Sequence, residues 1–89
     1  MEILFLRQAH HFIKKADLPL KEKIKEEVLK IKDNPTLGEF LHGTLKGLRS
    51  HHFHFVRTQY RIAYFVKDNV IVVTIASREN FYRDLERNR

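Results

Sequence analysis

An alternation of apolar and basic side chains in the middle of the chain constrains the fold more than any other feature. Phe53 and Phe55 alternate there with His52 and His54. Successive side chains of a strand point to opposite faces, so the phenylalanines would share one face and these histidines the other. The segment is therefore predicted to be a strand with an apolar side and a basic side that titrates near neutral pH.

A second strand is predicted to return beside the first. Residues 57–59 would form the turn and residues 60–66 the strand. With the hairpin in register, Arg61 would lie beside the two histidines, next to the small side chain of Ala63. Two imidazoles and a guanidinium on one sheet surface suit the binding of a phosphodiester.

The apolar patterns elsewhere predict an α+β fold with the element order β-α-α-β-β-β. Apolar residues at helical spacing predict two N-terminal helices, and short apolar runs predict further strands. Besides the hairpin, the predicted elements are a strand at 3–6, helices at about 7–16 and 19–32, and a strand at 70–76. The two helices would form a hairpin on one face of a small twisted, mainly antiparallel sheet, in a single domain of residues 1–89.

Three parts of the chain are expected to lie outside any functional site. The charged face of the second helix is predicted to be solvated, with Glu26 and Lys30 as an i,i+4 pair. All three glycines fall between residues 38 and 47, in a loop whose spacing matches no phosphate-binding motif. Residues 77–89 form a polar, basic tail, and its few apolar side chains predict weak docking.

The composition limits the compartment and the cofactors. The 89 residues include no cysteine, which suits a reducing compartment and removes the common structural zinc arrangements. The apolar run at residues 3–6 is too short for a signal sequence or a membrane span, so we expect a cytoplasmic protein without membrane association. His52 and His54 would need a third ligand, His51 or Glu79, to bind a metal, and we expect no metal or other cofactor.

The positive charge is concentrated in the C-terminal half. Residues 1–44 carry eight Lys or Arg against seven Asp or Glu, whereas residues 45–89 carry nine against four. Seven of these nine cations are arginine, whose planar fork binds phosphate through two hydrogen bonds. This distribution favours a nucleic acid as the partner, with an acidic protein as the alternative.

Three segments of the chain resemble the RelE/ParE superfamily of bacterial toxins. They are LKGLRS at 45–50, TQYRIAYFVKDN at 58–69 and VTIASRENFY at 73–82, and the resemblance extends over essentially the whole chain. It implies a toxin of a two-gene toxin–antitoxin pair. Members of the RelE type cut messenger RNA in the ribosomal A site without a metal, whereas members of the ParE type inhibit DNA gyrase.

The resemblance also implies a set of site residues. RelE-like nucleases carry basic residues on the second strand, an arginine on the third, an arginine after the fourth and a tyrosine in the tail. By position, the corresponding residues are His52, His54, Arg61, Arg78 and Tyr82. The chain departs from the pattern in having histidines where lysines are common, and in the short spacing between its last two site residues.

General chemistry suggests a role for each of these groups. His54 is expected to be the base that takes the proton of the 2′-OH and His52 the acid or a phosphate contact, although the two could be exchanged. Arg61 and Arg78 would hold the phosphate, unless Arg61 pairs with Glu79 instead. The tyrosine would stack on a base or simply pack the tail. The remaining expected RNA contacts are Arg49, Arg57 and Arg83.

The expected function is a toxin that cleaves ribosome-bound messenger RNA. The alternatives are a gyrase inhibitor and an RNA-binding relative without catalytic activity. The expected partners are the ribosome with its messenger RNA and an antitoxin. The antitoxin would be acidic or amphipathic and would cover the basic face or displace the tail at 77–89.

Overall fold

The computed structural model describes residues 1–87 and confirms the α+β class. The strands are β1 (Ile3–Phe5), β2 (Glu39–Phe40), β3 (Arg49–Phe55), β4 (Thr58–Lys67) and β5 (Asn69–Ser77), and the helices are α1 (Arg7–Lys15), α2 (Leu18–Asp33) and α3 (Phe81–Arg87), with a 3-10 turn at Gly43–Leu45. The sheet order is β1-β5-β4-β3-β2. Only the β1–β5 pair is parallel in this described sheet, so the predicted mainly antiparallel sheet is confirmed.

The predicted helical hairpin packs on one face of the sheet. The side chain of Asp17 begins α2 by accepting a hydrogen bond from the Leu20 amide at 3.0 Å, and Pro19 occupies the first turn, where its missing amide costs nothing. The buried core between helices and sheet consists of Ala9, Ile24, Val28, Ile31, Phe53, Ile62, Tyr64, Val70, Val72 and Ile75. Among residues 1–87, no helix combines the length and apolar content needed to cross a bilayer.

The turn of the central hairpin lies earlier than predicted. Strand β3 ends at Phe55 and β4 begins at Thr58, so Val56 and Arg57 form a two-residue turn and the predicted turn at 57–59 is wrong. Val56 has a φ of 54°, in the left-handed region that β-branched residues rarely adopt. Two-residue hairpin turns usually have Asn or Gly at a position with positive φ, so a valine there gave no signal for the turn.

The charged face of α2 differs from its prediction. Lys30 pairs with Glu27 at 2.8 Å rather than with Glu26, and the side chain of Glu27 is buried. Glu27 lies three residues after Ile24 and one before Val28, which places it within the apolar stripe of the helix. The predicted i,i+4 pair and the fully solvated charged face are therefore wrong.

Three further elements were missed, namely the edge strand β2, the 3-10 turn and helix α3, and the last two contribute side chains to a second core. The glycine-containing loop includes β2 and the 3-10 turn. Within the tail, Phe81–Arg87 form α3, and the Phe81 and Leu85 side chains of this helix are completely buried. They pack against a second core of Leu45, Ala63, Val73 and Ala76. The prediction of a weakly docked tail is wrong for residues 81–87. Phe81 and Leu85 are four residues apart, so they share one side of a helix and are buried together. Residues 88 and 89 lie outside the described part of the chain.

The burial of Leu85 predicts a measurable role for α3 in stability. Leu85→Ala should lower the free energy of unfolding by about 2–3 kcal/mol, at the low end for a buried leucine because a short terminal helix can relax. Urea unfolding measures the change. Leu18→Ala is the matched control, since Leu18 is 68% exposed and the same truncation there should cost far less. Equal losses in the two variants would contradict the docking of α3.

Candidate active site

His52 and Arg61 form the centre of the candidate site. They are direct partners across the β3–β4 ladder, and paired residues of antiparallel strands project from the same face. Arg61 is also paired with Ala76 of β5, whose side chain packs in the core beneath α3. The site therefore lies on the sheet face that carries α3, opposite the helical hairpin.

Helix α3 brings aromatic side chains to Arg61. Its Nη1 atom donates a hydrogen bond to the Tyr82 hydroxyl at 3.3 Å, and its guanidinium carbon lies 5.7 Å from the ring centroids of both Phe81 and Tyr82. The Nε atom of Arg61 is buried and has no hydrogen-bond partner within residues 1–87. Tyr82 thus holds the guanidinium from one side, and the buried Nε atom is not accessible to a ligand.

The surroundings of His52 favour its neutral form. His52 is exposed, but partial desolvation beside the sheet lowers its pKa below 6.5, and the positive charge of Arg61 lowers this pKa further. Glu39 opposes this shift, while His51 and Arg78 add smaller contributions in the lowering direction. At neutral pH the imidazole is therefore unprotonated and able to accept a proton.

Two other predicted site residues lie next to this pair. His54 is exposed and pairs with Gln59, roughly 7 Å along the strand from His52 on the same face. Arg78 follows β5, and its amide donates to the Gln59 carbonyl at 2.8 Å. The five residues assigned as catalytic thus lie on one surface, with Tyr82 about half exposed above Arg61.

The three arginines expected to bind RNA are separated from one another. Arg49 pairs with the buried Tyr64 and projects from the opposite face. Its guanidinium donates to the Gly38 carbonyl at 2.8 Å and lies 3.8 Å from the ring centroid of Phe40. Arg49 thus fastens the loop before β3 and lies away from His52.

The other two arginines of that set remain on or near the site surface. Arg57 is in the β3–β4 turn, beyond His54. Arg83 is on α3, largely exposed, with its Nε atom 3.5 Å from an Asp84 carboxylate oxygen. Both guanidinium groups are accessible to a ligand that approaches from solvent.

His51 faces away from the site and holds β3 to α2. Its Nε2 atom is 2.9 Å from Glu27, which also binds Lys23 at 3.1 Å and Lys30 at 2.8 Å. Burial would raise the pKa of Glu27, but the hydrogen bonds from Lys30, His51 and Lys23 outweigh it and lower this pKa to about 2. Sequence reasoning missed this support for the site strand, although the position of Glu27 in an apolar stripe was a signal.

No metal site is formed by the described part of the chain. Among residues 1–87, no three His, Asp or Glu side chains converge as ligands. His51, one of the two possible third ligands, lies on the opposite face in contact with Glu27. The expectation that no metal is bound remains a prediction.

The comparisons with known proteins identify the family. No curated protein and no solved structure matches the chain. The family model of the ParE-like toxin of type II bacterial toxin–antitoxin systems matches residues 3–86, nearly the whole chain. The resemblance drawn from the sequence is confirmed at this level, and an antitoxin partner follows from the family. The chain belongs to the ParE-like toxins of type II toxin–antitoxin systems.

Proposed function

We propose that this toxin is an endoribonuclease that acts in the cytoplasm on ribosome-bound messenger RNA without a metal. The observation that carries the proposal is the direct pairing of His52 with Arg61, whose guanidinium is held by Tyr82. A neutral imidazole beside a fixed cation supplies a base and a phosphate-binding group at one point. A protein that only inhibits another protein has no need of this combination.

The proposed reaction is an attack by the ribose 2′-oxygen on the adjacent phosphorus. His52 takes the proton of the 2′-OH, and the oxygen–phosphorus bond forms as the bond to the 5′-oxygen breaks. His54, roughly 7 Å from His52, gives a proton to the leaving 5′-oxygen. The products are a 2′,3′-cyclic phosphate and a free 5′-hydroxyl. The two histidines thus exchange the roles first expected from the sequence, because His52 is the one beside Arg61.

The cations stabilise the charge that develops on the phosphate. Arg61 places the positive charge of its guanidinium next to His52, and Arg78 adds a second positive charge near the same imidazole. Tyr82 has one edge engaged with Arg61 and a half-exposed ring, which suits stacking on a base of the RNA.

A second candidate function is inhibition of DNA gyrase. The matching family model is named after ParE, and ParE-type toxins inhibit gyrase. The two functions differ in what happens when the toxin is produced without an antitoxin. Growth arrest with loss of intact messenger RNA supports the endoribonuclease, whereas arrest with intact transcripts and broken chromosomal DNA supports gyrase as the target.

The salt dependence of RNA binding should distinguish arginines that contact phosphate from arginines that do not. Each phosphate contact contributes roughly 0.7 to the slope of log K against log salt on single strands. Arg83→Gln should therefore lower the slope by about 0.7, measured by fluorescence anisotropy. Arg49→Gln is the control, since Arg49 binds the Gly38 carbonyl on the opposite face. An equal change in both variants, or a flat dependence for the wild type, would contradict the proposed RNA surface.

A further inference from the structure

A polar cleft of about 490 Å³ opens at the turn end of the β3–β4 hairpin. It is lined by two short segments, which are Arg57, Thr58 and Gln59 on one side and Ser77, Arg78 and Glu79 on the other. The backbone joins the two sides, because the Arg78 amide donates to the Gln59 carbonyl at 2.8 Å and Tyr60 pairs with Ser77. The volume falls within the range of roughly 300–1,000 Å³ that is usual for small-ligand sites.

The charged groups of the cleft are available to a ligand. Arg57 and Arg78 contribute one guanidinium to each side, and Glu79 contributes a carboxylate. Within residues 1–87, the Glu79 carboxylate makes no salt bridge with either arginine. A cleft in which donors and an acceptor remain unpaired fits a ligand that carries both kinds of group.

We infer that this cleft binds a guanine base of the RNA substrate. Guanine presents two adjacent N–H donors, on N1 and N2, which a carboxylate such as Glu79 accepts together. Its O6 and N7 atoms are two adjacent acceptors, which an arginine binds with both arms of its guanidinium. Adenine and cytosine each offer a carboxylate a single amino group, and uracil offers one N–H, so guanine satisfies the cleft best.

The cleft adjoins the proposed catalytic groups, and we therefore assign the bound guanine to the RNA substrate rather than to a free nucleotide. Gln59 lines the cleft and is the strand partner of His54, while Arg78 lines the cleft and influences the pKa of His52. A phosphate held between the two histidines would therefore place a neighbouring base at the cleft. The inference rests on the proposed function for the source of the ligand, and it adds a base preference to that function.

Binding of RNA that cannot be cleaved tests the inference on the full-length chain. The probes are 2′-fluoro RNA pentamers UUXUU, in which X is guanine, inosine, adenine or an abasic site. Inosine differs from guanosine only by lacking the 2-amino group, so it removes one of the two donors to Glu79. We expect the wild type to bind the guanine pentamer about 10-fold more tightly than the inosine pentamer, and to bind the adenine and abasic pentamers more weakly than the guanine pentamer.

Glu79→Ala should bring the guanine-to-inosine ratio close to one, because the acceptor is lost. Glu22→Ala is the matched control, since Glu22 is an exposed residue of α2, and it should keep the wild-type ratio. Equal binding of all four pentamers, no binding of any, or a full guanine preference in Glu79→Ala would overturn the inference. The endoribonuclease proposal is tested separately, because the pentamers report base preference whether or not the toxin cleaves messenger RNA.

Discussion

His52→Ala is expected to lower the rate of messenger RNA cleavage by roughly 10²- to 10⁴-fold, the usual contribution of a general base. Ribosome affinity should change little, because the imidazole is neutral at pH 7 and contributes no charge to binding. Single-turnover cleavage on translating ribosomes separates the chemical step from binding. The expected effect is large because His52 is the titratable group paired directly with Arg61.

His11→Ala is the matched control for this variant. His11 is an exposed residue of α1, on the other face of the sheet, and its replacement should leave the cleavage rate unchanged. A fully active His52→Ala would contradict the assignment of the base. An active His52→Ala together with an inactive His54→Ala would restore the roles first expected from the sequence.

The rate of the wild type should depend on pH in a direction fixed by the surroundings of His52. The base must be unprotonated, and partial desolvation together with the charge of Arg61 lowers the pKa of His52 below 6.5. The rate should therefore rise with pH as the His52 imidazole loses its proton, with a midpoint below 6.5. Single-turnover cleavage at a series of pH values measures this rise, and a rate that does not change with pH would contradict His52 as the base.

Glu27→Gln is expected to cause the largest loss of stability, about 3 kcal/mol at pH 7. A carboxyl group whose pKa falls from 4.5 to about 2 on folding stabilises the folded state by roughly this amount. The charge is buried and is held by His51 at 2.9 Å together with two lysines, so its removal takes the negative charge away from the lysines and leaves one acceptor oxygen for the three donors. Urea unfolding at pH 7 measures the loss.

The lowered pKa of Glu27 also predicts how the free energy of unfolding varies in acid. The folded-state pKa is lowered, so the stabilisation is complete above pH 4.5 and is lost as the pH falls towards 2. Glu27→Gln should lack this part of the acid dependence. Glu22→Gln, at an exposed position on the same helix, should keep the wild-type curve. Parallel curves for wild type and Glu27→Gln would show that the Glu27 carboxylate is not the group responsible.

The alternation of side chains was sufficient to predict the relative positions of the residues proposed as the centre of the site. A period of two placed His52 and His54 on one face, and the register placed Arg61 beside them, even though the turn was misplaced by about one residue. The prediction that Arg61 lies beside these histidines was correct because it depended only on which face of the sheet each residue occupies. A shift of the loop by one residue changed the strand ends and left the pairing intact.

Side-chain contacts between segments far apart in the chain could not be predicted from the sequence. Gln8 donates to and accepts from the backbone of Ile75, 67 residues away, and no local pattern indicates such a pair. Arg49 was expected to contact RNA because it is an arginine in a basic region, but its strand position and the nearby Gly38 carbonyl place it in the scaffold. Residue type alone does not separate a structural arginine from one that binds phosphate.

Analysis of the RNA ends after cleavage of a translating messenger tests the proposed chemistry most directly. Purified toxin should convert the messenger on the ribosome to fragments with 2′,3′-cyclic phosphate and 5′-hydroxyl ends. His52→Ala should yield almost none of these fragments, and His11→Ala should yield as many as the wild type. An intact messenger with the wild-type toxin, while the same preparation inhibits gyrase, would contradict the proposal.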